Sequence, residues 1–259
     1  MSVRLFILAR PQFDSGYREF LDEYLPDGSA AWRETPRATA AERVVEFAGR
    51  VCYMSFGPRQ SAKSNREYIH NLIRNGHESV LEHAVWTIAM CGISRAFSHQ
   101  LVRHRVGFAF SQLSQQYHDE SESRFVRPAG IDQAPAAAKT WTRAIEAAQT
   151  SYREILSALD QAAAAAEPGA RSELTRALRS AARSVLPNAR ETALVATVNA
   201  RALRNFLKVR GAIVGDAEMR CVAAALLELV RPEGPALFED FITETLPDGL
   251  PLVTHRPFA

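Results

Sequence analysis

Arg95-Ala-Phe-Ser-His99-Gln100-Leu-Val-Arg103-His104-Arg105 reads as a helix, Ser94 to Val102, that delivers Arg-His-Arg at its C-terminal end. Val106 to Leu113 and Ser114-Gln115-Gln116-Tyr117 come next, and Gly107 with the serines and glutamines after it predicts a loop or irregular segment. Guanidinium groups grip phosphate and carboxylate through planar, bidentate hydrogen bonds. Glutamine offers one acceptor and two donors, so Gln100, Gln112, Gln115 and Gln116 can read an amide edge. The implied ligand is a nucleotide with a hydrogen-bonding base. The alternative is a solvated basic patch.

Outward from this stretch the chain alternates a few strands with many helices. Val3 to Ala9 predicts a short buried strand stopped by Pro11, and Ala84 to Cys91 a second strand. Thr39 to Met54 predicts a helix with Thr39 as N-cap and Glu42 three residues on. Ser64 to Asn75 predicts another, ended by Gly76. Pro135 to Ala166 is alanine-rich and helical. Trp141, Ile145, Ala148, Tyr152, Ile155 and Leu159 form one apolar stripe along it, better suited to core or subunit contact than to a ligand. Ser172 to Leu186 predicts a helix stopped by Pro187, with Leu174, Leu178, Ala181 and Val185 on one side and Arg176, Arg179 and Arg183 on the other. Ala200 to Val209 predicts a further helix. Leu203, Phe206 and Leu207 form its apolar side; Arg201, Arg204, Asn205 and Lys208 form its polar side. Arg210 then falls on the apolar side. A buried arginine is costly unless paired, so either the helix has ended there or Arg210 is held for a ligand. With no repeat, linker or boundary in view, the expectation is α+β: a single helix-rich domain over 1–259.

Bulk properties narrow the function. At 259 residues, 47% hydrophobic and 23% charged, the chain can bury a real core. Its formal charge of +2, from 31 basic and 29 acidic residues, gives no bulk case for nucleic-acid binding. Basic residues that are clustered rather than numerous suit a small anionic ligand. Three widely spaced cysteines, Cys52, Cys91 and Cys221, argue against a disulfide scaffold and for a reducing compartment. None forms a Cys-x-x-Cys pair. No apolar run is long enough for a secretory signal or a membrane span, which predicts a cytoplasmic protein.

Four segments together resemble a known family. Asn75-Gly-His77-Glu78-Ser79-Val-Leu-Glu82-His83 is similar to the glycine-histidine-glutamate segment of flavin-dependent thymidylate synthases. Arg103-His104-Arg105 followed by Ser114 resembles that family's signature. Ala182-Arg183-Ser-Val-Leu-Pro187 and Val198-Asn199-Ala200-Arg201-Ala-Leu-Arg-Asn205-Phe-Leu-Lys-Val-Arg210 are similar to its later segments, in order. The resemblance implies a mixed α/β fold with a central, mainly antiparallel sheet and active sites between subunits of a homotetramer. It implies methylation at C5 of a uracil nucleotide, UMP or dUMP, with methylenetetrahydrofolate as carbon donor, FAD as cofactor and NADPH as reductant. No cysteine nucleophile and no metal are implied. By position, Ser79, Arg103, His104, Arg105, Gln112, Asn199, Arg201 and Asn205 would hold FAD. Gln100, Arg103, Gln112, Leu113, Ser114, Gln115, Gln116, Arg183 and Arg210 would surround the nucleotide, with Arg183 on its phosphate. Arg210 would polarise the uracil ring. Charge drawn onto N3 and the carbonyl oxygens makes C5 enolate-like, and a fixed guanidinium stabilises that charge. His77 would orient loops or flavin rather than act as a base.

The chain departs from the family pattern at three places. Eight residues separate Arg105 from Ser114, where the usual signature has seven. Gln116 stands before Tyr117, where arginine is general, and Val214 stands near an expected histidine. All three fall on or beside the nucleotide site, which predicts relaxed sugar specificity. In this the chain resembles the UMP/dUMP methylases of polyoxin-type nucleoside-antibiotic pathways. An ordinary dUMP-specific synthase serving DNA precursor supply and a non-catalytic nucleotide-binding module are the alternatives. A metal hydrolase built on His77, Glu82, His83 and His104 is disfavoured, because six positions separate His77 from His83 instead of the three or four of a helical pair. RNA binding lacks its aromatic platform.

Overall fold

The computed structural model describes residues 3–25, 31–162 and 171–258. In chain order the elements are β1 (Arg4–Ala9), α1 (Tyr17–Tyr24), α2 (Ala40–Val51), α3 (Asn65–Arg74), β2 (Val85–Ser94), α4 (Arg95–Leu101), β3 (Phe108–Gln112), α5 (Pro135–Ala162), α6 (Arg171–Ala182), β4 (Glu191–Asn199), α7 (Ala200–Phe206), α8 (Ala217–Val230), α9 (Pro235–Phe238), β5 (Phe241–Thr245) and β6 (Pro251–His255). Strands order β1-β2-β4-β3 in one sheet; β5 and β6 form an antiparallel ribbon, Phe241 opposite His255. This is the helix-rich α+β fold expected. The residues fall into two compact units. One takes in Met1–Arg4, Met90–Arg103 and Phe110–Val195; the other Leu5–Ala89, His104–Ala109 and Ala196–Ala259. Strands β1, β2, β3 and β4 each contribute residues to both.

In the second unit, local sequence sets the helix ends. Thr39 Oγ1 accepts from Glu42 N at 3.2 Å while Glu42 Oε2 accepts from Thr39 N at 2.8 Å. Ser64 and Glu67 repeat this reciprocal box at the start of α3. Gly76, at φ +70°, ends α3: its own N–H reaches Ile73 O, and His77 N–H reaches Leu72 O. Trp86, Ile88, Val198, Leu203, Phe206, Leu207, Leu227, Phe238 and Phe241 make the core, each essentially inaccessible. The buried charges of this unit are matched by partners, Glu42 by the backbone N–H groups of Thr39 and Ala236 and others by ion pairs. Arg50 meets Glu46, which also accepts from Asn65. Arg204 grips both oxygens of Asp240, at 2.7 and 2.5 Å.

The Arg204 pair corrects the expected polar side of α7. Arg204 is 1% exposed, on the inner side of the helix with Leu203 and Phe206. The helix also does not run regularly to Val209. It passes into a π-turn over Leu207–Gly211, which shifts the helical phase after Phe206 and carries Arg210 to a half-buried position.

In the first unit, Ser94 caps α4 by accepting from Phe97 N at 3.0 Å. The α5 stripe faces inward as expected, with Tyr152 fully buried and its hydroxyl accepting from Glu120 N at 3.1 Å. The predicted end of this helix, at Ala166, lies outside the described residues. Helix α6 ends at Ala182, four residues before the predicted end. Arg183–Val185 tighten into a 3-10 turn ahead of Pro187. The segment after Gly107 is not irregular: Phe108–Gln112 is a strand whose residues alternate between half-buried and exposed, beside β4 in the sheet. Its period of two is short, and the glycine before it masks it.

Candidate functional site

In the second unit the polar groups gather around α7. Asn199 is the N-cap: its Oδ1 accepts from Ala202 N at 2.8 Å, which leaves the amide Nδ2 as the donor free for other work. Arg201 and Asn205 follow on the exposed side, with Arg201 Nη1 on Glu82 at 2.6 Å and Lys208 Nζ 3.8 Å from Glu78. Glu78, Ser79 and Glu82 belong to a 3-10 segment, Glu78–His83, where Ser79 is exposed. The glycine-histidine-glutamate segment thus supplies carboxylates to the cations of α7.

Arg210 meets no carboxylate among the described residues. Its Nε donates to His104 Nε2 at 3.1 Å. The imidazole can accept there only when neutral, with its proton on Nδ1. Burial, and then the Arg210 charge, lower the His104 pKa and favour that neutral form. The ring is wedged against Phe206, with centroids 5.4 Å apart, and Phe108, at 6.1 Å. Both Nη groups of Arg210 are left without a described partner. An oriented guanidinium whose charge nothing neutralises is a ready seat for an anion or for charge that develops during a reaction. Arg105 is exposed and has no carboxylate partner among the described residues.

The first unit holds the other predicted residues. Gln112 Nε2 donates to Ser98 Oγ at 2.8 Å and Thr192 Oγ1 at 3.3 Å, so its side chain is fixed from both sides. Leu113 N–H donates to Ala193 O at 3.0 Å, and Leu113 lines a cavity of about 240 Å³ with His118, Arg190 and Thr192. Ser114 O accepts from Tyr117 N and His118 N, folding the serine-glutamine segment into a turn. Gln115 is buried; Gln116 is half-buried, and its N–H donates to Ser114 Oγ. Arg179 Nη1 donates to Tyr117 O at 2.8 Å and Arg176 reaches the Tyr117 hydroxyl at 3.4 Å. Two of the three arginines of the α6 row therefore clamp this turn. Arg183 has no carboxylate partner among the described residues. Arg103 is exposed and Gln100 half-buried at the end of α4.

Arg95 is the residue the sequence reading missed. It is half-buried, and its pKa is lowered by burial and then by the charges of Arg190 and Arg183. Glu120 neutralises Arg190, to which it is ion-paired in the interior. The charge of Glu120 also acts on Arg95, but neither Arg95 nor Arg183 has an ion-pair partner of its own among the described residues. The two lie 88 positions apart in the sequence, so spacing alone gave no sign of their interaction.

Among the described residues, no three histidine, cysteine, aspartate or glutamate side chains are placed to hold a metal ion. Nor is any helix among them long and apolar enough to cross a membrane.

Residues 36–236 match the model of the family described as thymidylate synthase complementing protein. The chain belongs to this family. A protein of Corynebacterium efficiens named flavin-dependent thymidylate synthase is 41% identical over 232 residues, 89% of this chain and 91% of that one. Proteins of the same name from Mycobacterium avium and Mycobacterium tuberculosis are 42% and 40% identical over 225 and 233 residues. These alignments cover 85% and 90% of this chain and 89% and 91% of the relatives. Uncompensated cations, an amide donor at Asn199 and an exposed serine suit a flavin dinucleotide, a phosphate-bearing ligand rich in hydrogen-bonding groups.

Proposed function

We propose that this member of the family methylates C5 of a uracil nucleotide, UMP as well as dUMP. Methylenetetrahydrofolate is the carbon donor and NADPH the reductant, and the whole chain serves as one catalytic domain. The observation that carries the reading is Arg210 on its π-turn, oriented by a neutral histidine and left with its charge unspent. Arg210 stabilises the negative charge that gathers on N3 and the carbonyl oxygens as C5 attacks. Neutral His104 fixes the guanidinium without cancelling it. Arg183 and Arg95 take the nucleotide phosphate, while Gln100, Arg103, Gln112, Leu113, Ser114, Gln115 and Gln116 surround base and sugar. Ser79, Arg103, His104, Arg105, Gln112, Asn199, Arg201 and Asn205 hold FAD. Bound and reduced, FAD supplies the hydride that completes the methyl group.

Assembly into a homotetramer is part of the same reading. Phe6 and Leu8 of β1 are 50% and 59% exposed, which favours a strand face covered by another subunit. The activity is tested by competition. Purified protein with FAD, NADPH and methylenetetrahydrofolate receives equal UMP and dUMP, and both 5-methyl products are quantified by mass spectrometry. Substantial methylated UMP is expected. Methylated dUMP alone would make the chain a dUMP-specific synthase, and no methyl product from either would overturn the reading.

A further inference from the structure

Just after Arg105 the chain makes a tight turn. Phe108 N–H donates to Arg105 O at 3.2 Å, closing a turn with Val106 and Gly107 at its tip. Gly107 sits at φ +74°, where L side chains are strained. It also lies hard against the first turn of α7. A Cβ on Gly107 would stand 2.6 Å from Asn199 Nδ2, 2.9 Å from Asn199 Oδ1 and 2.7 Å from the Ala202 Cβ. In addition, Gly107 O accepts from Asn199 N at 3.1 Å. Backbone and side chain of Asn199 are thus both fixed by the same glycine. Three residues earlier in the same strap, His104 holds Arg210. The strap His104–Phe108 is therefore pinned at both ends of α7, at its N-cap and at its π-turn.

We propose that Gly107 is a positioning residue for the flavin site, setting the Asn199 amide by close approach and keeping the strap seated between Asn199 and Arg210. This rests on the reading of Asn199 as an FAD contact. Any side chain at 107 drives into the Asn199 amide, and the strap can yield only by lifting His104 as well. Val106, beside it, is 84% exposed and free of this constraint.

The test measures FAD affinity of apo-protein by fluorescence quenching, together with its thermal unfolding and the flavin absorption maximum. The unaltered protein is measured first: absence of FAD binding would overturn both this inference and the reading it rests on. Given binding, Gly107→Ala is expected to weaken FAD at least tenfold and shift the absorption maximum, while Val106→Ala changes affinity less than twofold. FAD binding by Gly107→Ala equal to that of the unaltered protein would overturn the inference and leave the flavin reading standing. Asn199→Ser separates positioning from folding, because serine keeps the helix cap but withdraws the amide that Gly107 abuts. In an Asn199→Ser/Ala202→Gly background, which removes both side chains that a Cβ at 107 would meet, Gly107→Ala should cost less than a further twofold, including where the single Gly107→Ala variant fails to fold. Fully additive losses, or failure to fold only when Gly107→Ala is added to that background, would overturn it.

Discussion

Arg204 and Arg210 stand six positions apart, on a helix and on the π-turn that continues it, and the structure treats them in opposite ways. Arg204 is buried, bidentate on Asp240, and hydrogen-bonded to Leu237 O; His255 closes the far side of the same carboxylate at 2.9 Å. Burial works to raise the Asp240 pKa, yet the hydrogen bonds and charge of Arg204, helped by His255, hold it below the ordinary carboxylate range. Arg210 is half-buried and, among the described residues, meets a neutral imidazole and no carboxylate. The first guanidinium has its charge fully used within the fold; the second has its direction fixed and its charge kept. Burial with a carboxylate marks an arginine that builds the protein, and orientation without one marks an arginine kept for a ligand.

The sharpest way to break this contrast is to remove each cation. Arg204→Met leaves Asp240 buried with His255 alone, and stripping one partner from a buried pair costs about 3–5 kcal/mol. Denaturant unfolding of the apo-protein should show that loss, and Arg204→Met/Asp240→Leu should recover most of it. A loss below about 0.5 kcal/mol, the size of an ordinary surface change, would mean the pair does not anchor α7. Next in size, Arg210→Ala should lower kcat by about a hundredfold to a thousandfold, the loss typical of removing one group aimed at developing charge. Its unfolding midpoint and FAD affinity should stay near those of the unaltered protein. Unchanged turnover would end its assigned role.

Sequence alone could show some of this contrast and not the rest, for physical reasons. Helix ends are local, so Thr39 with Glu42, and Gly76, are found where their spacing placed them, and the start of α3 at Ser64 is as predicted. Arg204 falls on the wrong side in the sequence because, grouped with Arg201, Asn205 and Lys208, it reads as part of a solvent-facing polar side. Its partner Asp240 lies 36 residues on, and pairing at that range leaves no periodic trace. The odd phase of Arg210 is legible, whereas the π-turn that resolves it is not, since a change of pitch appears only in the backbone. Strand β4 is missing from the sequence reading although Thr192, Leu194, Ala196 and Val198 alternate inward with a period of two. That signal is present, but the motif at its end draws the reading away from it. Arg95 lies inside the quoted stretch, but its proximity to Arg183 is a product of tertiary structure.

In the first unit the same rule separates Arg190, paired with Glu120, from Arg183, which has no carboxylate among the described residues. A charge-assisted contact is worth about 1.5–3 kcal/mol, so Arg183→Ala should raise the nucleotide KM by about tenfold to a hundredfold. A phosphate contact is equally present in ground and transition states, and kcat should therefore hold. A fall in FAD affinity with KM unmoved would remove Arg183 from the phosphate.

The smallest effect belongs to Gln116. The turn it occupies is already clamped, with Arg179 on Tyr117 O and Arg176 at the Tyr117 ring and hydroxyl. A further guanidinium at 116 is thus not needed to hold the turn, and its influence falls on the ligand. A half-buried glutamine can donate to or accept from a ribose 2′-OH; an arginine in its place can only donate, and it brings a charge. Gln116→Arg should therefore shift the product ratio toward methylated dUMP, by no more than about tenfold, the scale of one polar contact to a single hydroxyl. The same UMP and dUMP competition reads it. An unaltered ratio would move sugar selectivity away from this turn and onto the segment between Arg105 and Ser114, which holds eight residues.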